Sequence, residues 1–455
     1  MSHRPPTRLQ IDDFSTVNRR QLLRALGASA LTIATGGLFS RSLWGGPVFA
    51  AYPFSFGVAS GDPAPDGFVI WTKIAPTPLE RGGGMPGKPV EVEWSVALDE
   101  RMGQVATRGT SVAHPELGHA VHVEVAGLQP ARDYYYQFTI GGERSRVGRA
   151  RTLPPAAVSL QAAHASAPFV MSYDDHEVDN DWAGDTTEEQ TPSDLFLLRR
   201  AAALQAWYEH LPVRRALLPR GADILAYRRF AVGDLLAMNV LDTRLFRSAQ
   251  ACGDGPRVAA DCAERLDRDR TMLGDAQERW LYDGFTSARA RWTLLAQQVL
   301  VMRNDRDPDP AVFAPSLDKW DGAVAARDRL FAAIEAAKVA NVVVVTGDVH
   351  DNWAGELKKN FDDEKSATLG VEFVATSVTS DGDGFDINDS TRALLQQDPH
   401  IKYFNSQRGY ARHIVTPNRW QCDFQVLDRV SVPDGRTATH KSFVVESGRS
   451  GLSEA

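Results

Sequence analysis

Short runs of alternating apolar and polar residues dominate residues 51–154. Successive side chains of a β-strand point to opposite faces, so this alternation predicts strands with one buried and one exposed face. The clearest runs are residues 68–72, 90–96 and 122–126, and Gly- and Pro-rich turns separate them. The pattern predicts a small all-β sandwich for residues 51–154.

A turn followed by tyrosines adds detail to this prediction. Residues 128–136 read Leu-Gln-Pro-Ala-Arg-Asp-Tyr-Tyr-Tyr. A Leu-x-Pro turn that leads into a tyrosine-bearing strand is similar to the tyrosine corner of fibronectin-type and immunoglobulin-like sandwiches. We therefore interpret these tyrosines as packing residues of the sandwich.

The pattern changes after residue 154, where helical periodicity alternates with isolated apolar strands. Residues 193–210 repeat apolar and aromatic positions at helical spacing, and Ser193 with Asp194 can cap this helix. The other predicted elements are helices at 275–287 and 323–337 and strands at 169–173, 235–241, 292–302, 340–346 and 370–377. Four consecutive valines, 342–345, indicate a strand covered on both faces. Residues 155–455 are thus predicted to form an α/β domain whose C-terminal part returns to β alternation.

Residues 1–50 are predicted to be a signal peptide. Arg19-Arg20 precedes a small apolar run, residues 25–39, and small residues favour cleavage after Ala50. The paired arginines are similar to the twin-arginine signal, although Leu22 stands where that signal usually has Phe. The run is shorter than the ~20 residues that span a bilayer, so no permanent membrane anchor is predicted. We expect the twin-arginine export machinery as a partner and a periplasmic or secreted location.

Composition narrows the classes of partner. Hydrophobic residues make up 43% and charged residues 24% of the chain, as in a globular protein, and the length suggests two or three domains. Acidic residues outnumber basic ones, 58 to 50. This is the wrong sign for neutralising nucleic-acid phosphates, so nucleic acid is excluded as a structural partner.

The chain has only three cysteines, Cys252, Cys262 and Cys422. They cannot form a disulfide scaffold or a four-cysteine zinc site, and at most one bridge is possible. Cys252 and Cys262 flank a polar loop and either close it as a disulfide or remain free thiols.

The densest group of candidate ligands is residues 174–181, Asp-Asp-His-Glu-Val-Asp-Asn-Asp, directly after a predicted strand. Such a concentration of carboxylates suits a divalent or trivalent metal. In open α/β sheets ligands bind beyond the carboxyl ends of strands, where this segment is expected to lie. A polar loop that caps a helix is the alternative interpretation.

A second group follows the predicted strand 340–346, where residues 347–350 read Gly-Asp-Val-His. The strand delivers Asp348 and His350 to one edge of the sheet, and carboxylate with imidazole suits iron, zinc or manganese. A core histidine bonded to Asp348 is the alternative. Two such strand-end groups in one domain favour a metal site.

Several segments together are similar to the alkaline phosphatase D family. They are Phe-Ser-Phe-Gly-Val-Ala-Ser-Gly-Asp-Pro at 54–63, Asp-Asp-His-Glu-Val at 174–178, Leu-Asp-Thr-Arg at 241–244, Gly-Asp-Val-His at 347–350, Phe-Asn-Ser-Gln-Arg-Gly-Tyr at 404–410 and Phe-Val-Val-Glu at 443–446. No single segment is specific, but their combination is. The resemblance extends over residues 52–452.

This resemblance implies a fibronectin- or immunoglobulin-like β-sandwich followed by a calcineurin-like metallophosphoesterase α/β sandwich. It implies Fe³⁺ and Ca²⁺ as cofactors and hydrolysis of phosphate mono- or diesters. Asp175, Asp348 and His350 are then metal ligands, and His176 is the phosphate contact or proton donor. Arg244 is implied to bind substrate phosphate, although a structural pair with Asp242 is the alternative.

One segment of the family pattern is absent. Relatives follow the sandwich with a strand ending in Ser-Cys and then a Gly-Asp segment, which supply further ligands including a bridging carboxylate. This chain passes from residues 151–154 almost directly to residues 160–164, an apparent internal deletion between Pro154 and Leu160. The α/β domain is therefore predicted to lack its first strand segments.

Two hypotheses follow from this gap. Either the chain is an active metallophosphatase whose shell is completed by other carboxylates, such as Asp179, Asp181 or Asp383, or it is a catalytically impaired extracytoplasmic remnant or binding protein. Metal content after purification separates the two.

Overall fold

The computed structural model describes residues 49–455 except 50, 65, 130–131, 151–166, 254–260, 288–289, 308, 310 and 433–434. The predicted signal peptide, apart from Phe49, and the predicted deletion between Pro154 and Leu160 lie outside the described residues. Residues from Phe49 to Ala455 form one compact unit. No helix within the described ranges is long and apolar enough to cross a membrane.

Two sheets form the N-terminal part of this unit. Their strands are β1 Val58–Ala64, β2 Gly67–Lys73, β3 Val90–Ala97, β4 Val105–Ala113, β5 Ala120–Val125, β6 Tyr134–Ile140, β7 Glu143–Arg144, β8 Gly148–Ala150 and β9 Pro168–Phe169. The first sheet has the order β5-β2-β1-β9 and the second the order β4-β3-β6-β7, with β8 beside β6. Apart from the parallel pair of β1 and β9, neighbouring strands are antiparallel. The strands predicted at 68–72, 90–96 and 122–126 are confirmed.

One hydrophobic cluster joins these two sheets. It takes Ile70 from β2, Val92 from β3 and Tyr136 from β6, all buried. The turn before β6 is fixed by Tyr134, whose hydroxyl accepts the amide of Gln129 at 2.8 Å and donates to its carbonyl at 3.3 Å. The tyrosines therefore pack and brace the turn, as their pattern predicts.

A seven-stranded mixed sheet forms the centre of the remaining part. Its strands are β10 Arg228–Val232, β11 Leu236–Val240, β12 Trp292–Ala296, β13 Val342–Thr346, β14 Asn352–Lys358, β15 Thr368–Val374 and β16 Ile401–Asn405. The order is β10-β11-β12-β13-β15-β14-β16. Strands β11, β12, β13 and β15 are parallel, whereas β10, β14 and β16 pair antiparallel with their neighbours. The carboxyl ends of β11, β12 and β13 thus meet at one edge.

The helices are α1 Ser193–His210, α2 Gly274–Ser287, α3 Val324–Ala336 and α4 Asp389–Gln397, together with short 3₁₀ turns, among the described residues. The predicted helices at 193–210, 275–287 and 323–337 are confirmed. Pro192 rather than Ser193 holds the N-cap position of α1.

The central strand β13 is covered on both faces, as its valines predict. Val342 and Val344 share a hydrophobic cluster with Leu281 of α2 and Leu330 of α3. Val343 points into a different cluster with side chains of a further antiparallel sheet. That sheet has the order β17-β18-β19-β20, from β17 Gly409–Val415, β18 Arg419–Leu427, β19 Thr437–Glu446 and β20 Ser453–Glu454.

Two predicted strands end at least four residues earlier than expected. The strand predicted at 169–173 ends at Phe169, and the carbonyl of Met171 accepts a hydrogen bond from the Arg228 side chain instead of a strand neighbour. The strand predicted at 292–302 ends at Ala296, and the amides of residues 301 and 302 donate to the Glu372 carboxylate instead of to a strand neighbour. The acidic segment at 174–181 therefore follows an irregular stretch.

A disulfide joins Cys252 to Cys262, which decides between the alternatives left open by the sequence. Cys422 is buried in β18 and has a free thiol.

Candidate active site

The turn after β13 presents Asp348 and His350 at the carboxyl edge of the central sheet. Both residues have left-handed backbone conformations, with φ of 69° and 55°. The amide of Gly347 donates to the carbonyl of Gln298 at 3.1 Å, which ties this turn to the end of β12. Non-glycine residues with positive φ concentrate at functional sites, where the surrounding structure holds them in place.

The segment 174–182 folds around the Asp175 carboxylate. One oxygen accepts the amide of His176 at 2.8 Å, and the other accepts the amide of Asp181 at 3.0 Å. Asp181 also has a positive φ, 47°. The sequence forms this loop because an aspartate side chain can accept amides that are left without strand or helix partners.

Arg244 lies at the centre of the acidic residues and is completely buried. Its Nε donates to Asp174, its Nη1 to Asp318 and its Nη2 to Asp348, each at 2.7 Å. The Asp242 carboxylate accepts the amide of Arg244 and fixes the turn after β11. The five donors of a guanidinium make arginine suited to such simultaneous contacts with several carboxylates.

Two residues of this centre were not anticipated from the sequence. Asp318 accepts hydrogen bonds from Arg244 and Arg247, and Lys319 donates to Asp318 and to Asp348. They lie in a loop before α3, and the adjacent acid and base in the segment 316–319 are the only local signal for them.

The charges of the centre shift one another's pKa values. Burial raises the pKa of Asp174 to about 7, and burial together with the charge of Asp318 raises the pKa of Asp181 to about 7. Burial also works to raise the pKa of Asp318, but Arg244, Arg247 and Lys319 outweigh it and hold that pKa well below its ordinary value.

The pKa values of Asp175 and Arg244 also result from burial opposed by neighbouring charges and hydrogen bonds. Burial favours a higher pKa for Asp175, but Arg244 and the Asp181 amide outweigh it, so the pKa is lowered. Burial favours a lower pKa for Arg244, yet Asp318, Asp174 and Asp348 raise it. Asp175 and Arg244 are therefore both charged at neutral pH.

Two aspartate triads place their carboxylate oxygens within 4.8 Å of one another, Asp174–Asp175–Asp348 and Asp181–Asp318–Asp348. All-carboxylate donor sets fit a hard cation such as Ca²⁺. In the described part of the chain neither triad contains an imidazole or a thiolate, the donors that favour iron or zinc over calcium. His350 is two residues from Asp348 but belongs to neither triad, and its Nδ1 lies 2.6 Å from Asp381.

A cavity of about 520 Å³ opens over these groups. The predicted site residues Asp175, His176, Asp348 and His350 all line it, as do Asp181 and Lys319. His176 is prominent because 71% of its side chain is exposed. A small molecule could thus reach imidazole, carboxylate and ammonium groups together.

The remaining predicted residues lie elsewhere. Arg244 is buried behind the carboxylates and does not line the cavity. Asp179 pairs with Arg199, and Asp383 accepts the amides of residues 430 and 431. Of the three carboxylates proposed to complete a metal shell, only Asp181 belongs to a triad.

Comparison with known proteins identifies the family. Residues 153–424 match the family model of the PhoD-like phosphatases, and residues 42–154 match the model of their N-terminal domain. Alkaline phosphatase D of Bacillus subtilis (strain 168) is 37% identical over 525 aligned positions, which cover 96% of this chain and 89% of the relative. The solved structure of PhoD matches with a TM-score of 0.85 at 38% identity, over 90% of this chain and 93% of that one.

The aligned region is longer than the chain itself. It spans 525 positions, whereas the chain has 455 residues. The Bacillus relative therefore has residues that face gaps in this chain.

An acid-rich cavity at the carboxyl edge of a mixed sheet, in a chain with these relatives, defines a phosphoric ester hydrolase. The chain belongs to the PhoD-like phosphatase family.

Proposed function

We propose that this chain hydrolyses phosphate mono- or diesters in a metal-dependent reaction in the cavity over the aspartate triads. The observation that carries this proposal is the convergence of Asp175, His176, Asp348 and His350 on one cavity, from segments far apart in the sequence. Family membership supports the reaction class, and the close carboxylates support the need for a cation.

The metal would be held by Asp175, Asp348 and His350, with Asp181 as a further carboxylate. The carboxylate triads favour Ca²⁺, and the family resemblance adds Fe³⁺, for which His350 supplies the imidazole. A bound cation would supply a water of lowered pKa and polarise the phosphoryl oxygens.

The chain's own residues would carry the proton and hold the phosphate. His176 is exposed to the cavity and is proposed to protonate the leaving oxygen as a general acid. Lys319 lines the same cavity and can pair with a phosphoryl oxygen. The sequence predicts substrate binding by Arg244, but its burial and its bonds to three aspartates support a role in holding those aspartates together.

The remaining predictions complete the proposal. We propose a signal peptide at 1–50, an immunoglobulin- or fibronectin-like sandwich at 51–154 and a calcineurin-like domain at 155–455. The bond between Tyr134 and Gln129 supports the sandwich type, because a tyrosine corner has such a contact. The disulfide supports a periplasmic or secreted location, since disulfides persist in oxidising compartments.

The export route has a direct test. Replacing Arg19-Arg20 with Lys-Lys should leave the precursor in the cytoplasm. Mature protein outside the cytoplasm from this variant would contradict the twin-arginine route.

The function is tested by elemental analysis of the purified mature protein and by hydrolysis of a chromogenic phosphomonoester and phosphodiester with and without chelator. We expect bound metal and turnover that the chelator abolishes. His350→Ala should remove that turnover, whereas His114→Ala, a change of an exposed histidine outside the cavity, should not. A protein without metal and without turnover would be the impaired remnant.

A further inference from the structure

The cavity over the aspartate triads is lined in part by apolar residues that have no role in the proposed phosphate hydrolysis. Besides its polar residues it is lined by an apolar wall, which we define as Leu300, Val349, Trp353, Phe385, Leu394 and Phe404. Three of these residues form a continuous aromatic surface. The ring centroids of Trp353 and Phe404 are 4.8 Å apart, and those of Phe385 and Phe404 are 6.0 Å apart.

The size of the cavity exceeds the needs of a phosphoryl group. A volume of about 520 Å³ falls in the range of pockets that enclose whole organic ligands. Phe385 belongs to the wall yet is 45% exposed, although large exposed apolar groups usually gain by being covered. The wall thus leaves apolar surface available to a ligand that also reaches the carboxylates.

We propose that the apolar wall binds the alcohol portion of the ester, so that the preferred substrates are esters of apolar alkyl or aryl alcohols. This inference rests on the proposed function, because it assigns the part of the substrate that is not phosphate. The polar side chains of the cavity hold the phosphoryl group, and the wall removes the alcohol's apolar surface from water.

The experiment measures binding of n-alkyl phosphates, from methyl to octyl, to the intact mature protein by calorimetry. Affinity should rise with each added methylene, by up to about fourfold, until the wall is filled. An affinity that is the same for methyl and octyl phosphate would overturn the proposal.

Two variants test whether the gain in affinity per methylene arises at the apolar wall. Phe385→Ala should reduce the gain per methylene, because this exposed ring belongs to the wall and its loss does not open the core. Leu198→Ala provides the control, since Leu198 is an exposed apolar residue on α1 that does not line the cavity, and the gain should stay as in the parent protein. An equal loss in both variants would contradict a role for the wall.

Hydrolysis of the same n-alkyl phosphates, measured in parallel by release of inorganic phosphate, separates the two proposals. Turnover that does not depend on alkyl length would contradict alcohol binding by the apolar wall but would agree with the proposed function. Affinity that rises with alkyl length, without turnover of any ester, would contradict the proposed function but would agree with binding of the alkyl group by the apolar wall.

Discussion

Arg244 is a buried cation whose three bonded aspartates come from three separate segments of the chain. A buried ion pair contributes little net stability, but removing one partner leaves buried charges uncompensated. Arg244→Ala should therefore lower the free energy of unfolding by about 3–5 kcal/mol, measured by urea denaturation. Arg244→Lys should restore only part of it, because an ammonium cannot reach the aspartates in the same fork geometry.

An exposed arginine provides the matched control for this prediction. Arg199 pairs with Asp179 at the surface, where an ion pair contributes at most about 1 kcal/mol, so Arg199→Ala should cost little. If Arg244→Lys keeps the parent's stability but loses phosphate affinity, Arg244 binds substrate and the organising role is wrong.

His122 gives the protein a dependence of stability on pH. Its ring stacks on Tyr208 with centroids 4.4 Å apart, and its Nε2–H donates to the carbonyl of Leu211 at 2.8 Å. Burial lowers its pKa to about 4, whereas an unfolded histidine titrates near 6.5. Between these pH values the unfolded chain binds the extra proton, so the free energy of unfolding falls as pH falls.

The size of the effect can be measured as a difference between variants. From pH 7 to pH 5 the histidine should remove about 2 kcal/mol of stability. His122→Gln can still donate to Leu211 but does not titrate, so its unfolding free energy should change less over this interval. Because removal from water also lowers the pKa values of His400 and His413 to about 4, only the difference between the two proteins reports on His122. Identical pH profiles would contradict the assignment.

Which side chains could be predicted depends on where their neighbours lie in the sequence. Asp175 and Asp348 were predictable because Asp175 lies in a dense acidic segment and Asp348 lies two residues after the apolar strand β13. The roles of Asp318 and Lys319 could not be predicted, because their hydrogen-bond partners are distant in sequence and no local pattern indicates that these residues come into contact. The burial of Arg244 could not be predicted either, because a Leu-Asp-Thr-Arg segment is compatible with an exposed arginine and with a buried one.

At the scale of elements, the disulfide between Cys252 and Cys262 fixes a short loop next to the 3₁₀ turn Ala263–Leu266. Closing a loop of this length restricts the unfolded chain and stabilises the fold by roughly 2–3 kcal/mol. Cys252→Ser with Cys262→Ser should lower the free energy of unfolding by that amount under oxidising conditions.

The reduced parent protein is the control for this disulfide. With reductant present, the parent and the double variant should unfold at the same urea concentration. A difference that persists in reductant would mean that the serines disturb packing, and no difference in either condition would contradict a stabilising disulfide.

Helices were easier to predict than the ends of strands. The helix predicted at 193–210 has the same bounds in the structure, although two of its apolar residues, Leu195 and Leu198, are exposed. The strand starting at Trp292 stops at Ala296, where Gln297 and Gln298 interrupt the apolar run. The apolar residues resume at 299–302, but there the amides of residues 301 and 302 donate to the Glu372 carboxylate, a partner far along the sequence that local patterns cannot anticipate.

At the scale of the whole molecule, the valines of β13 predicted two covered faces but not what covers them. One face packs on α2 and α3, and the other packs on the sheet β17-β18-β19-β20. The C-terminal alternation predicted those strands as elements. Their position as a third layer follows from tertiary contacts, since one apolar strand face can be covered equally by a helix or a sheet.

The gaps against the Bacillus relative lead to a prediction about the whole chain. We predict that the missing residues belong between Pro154 and Leu160 and that they carry further metal ligands. Arg244 and Lys319 already occupy oxygens of Asp348, so the carboxylates at hand have fewer lone pairs left for a cation. Restoring the missing ligands should therefore strengthen metal binding and raise both the metal content and the turnover of the protein.

Inserting the corresponding segment of the Bacillus relative between these residues tests this argument. We expect the grafted protein to bind more metal and to hydrolyse the chromogenic esters with kcat/KM raised by roughly 10- to 100-fold, the range over which groups that support a metal site act. A Gly-Ser insertion of equal length is the control, because it restores chain length without ligands. If the parent protein binds metal and both insertions leave metal content and kcat/KM unchanged, the cavity of this chain already has all the ligands it uses, and the triads Asp174–Asp175–Asp348 and Asp181–Asp318–Asp348 must supply them unaided.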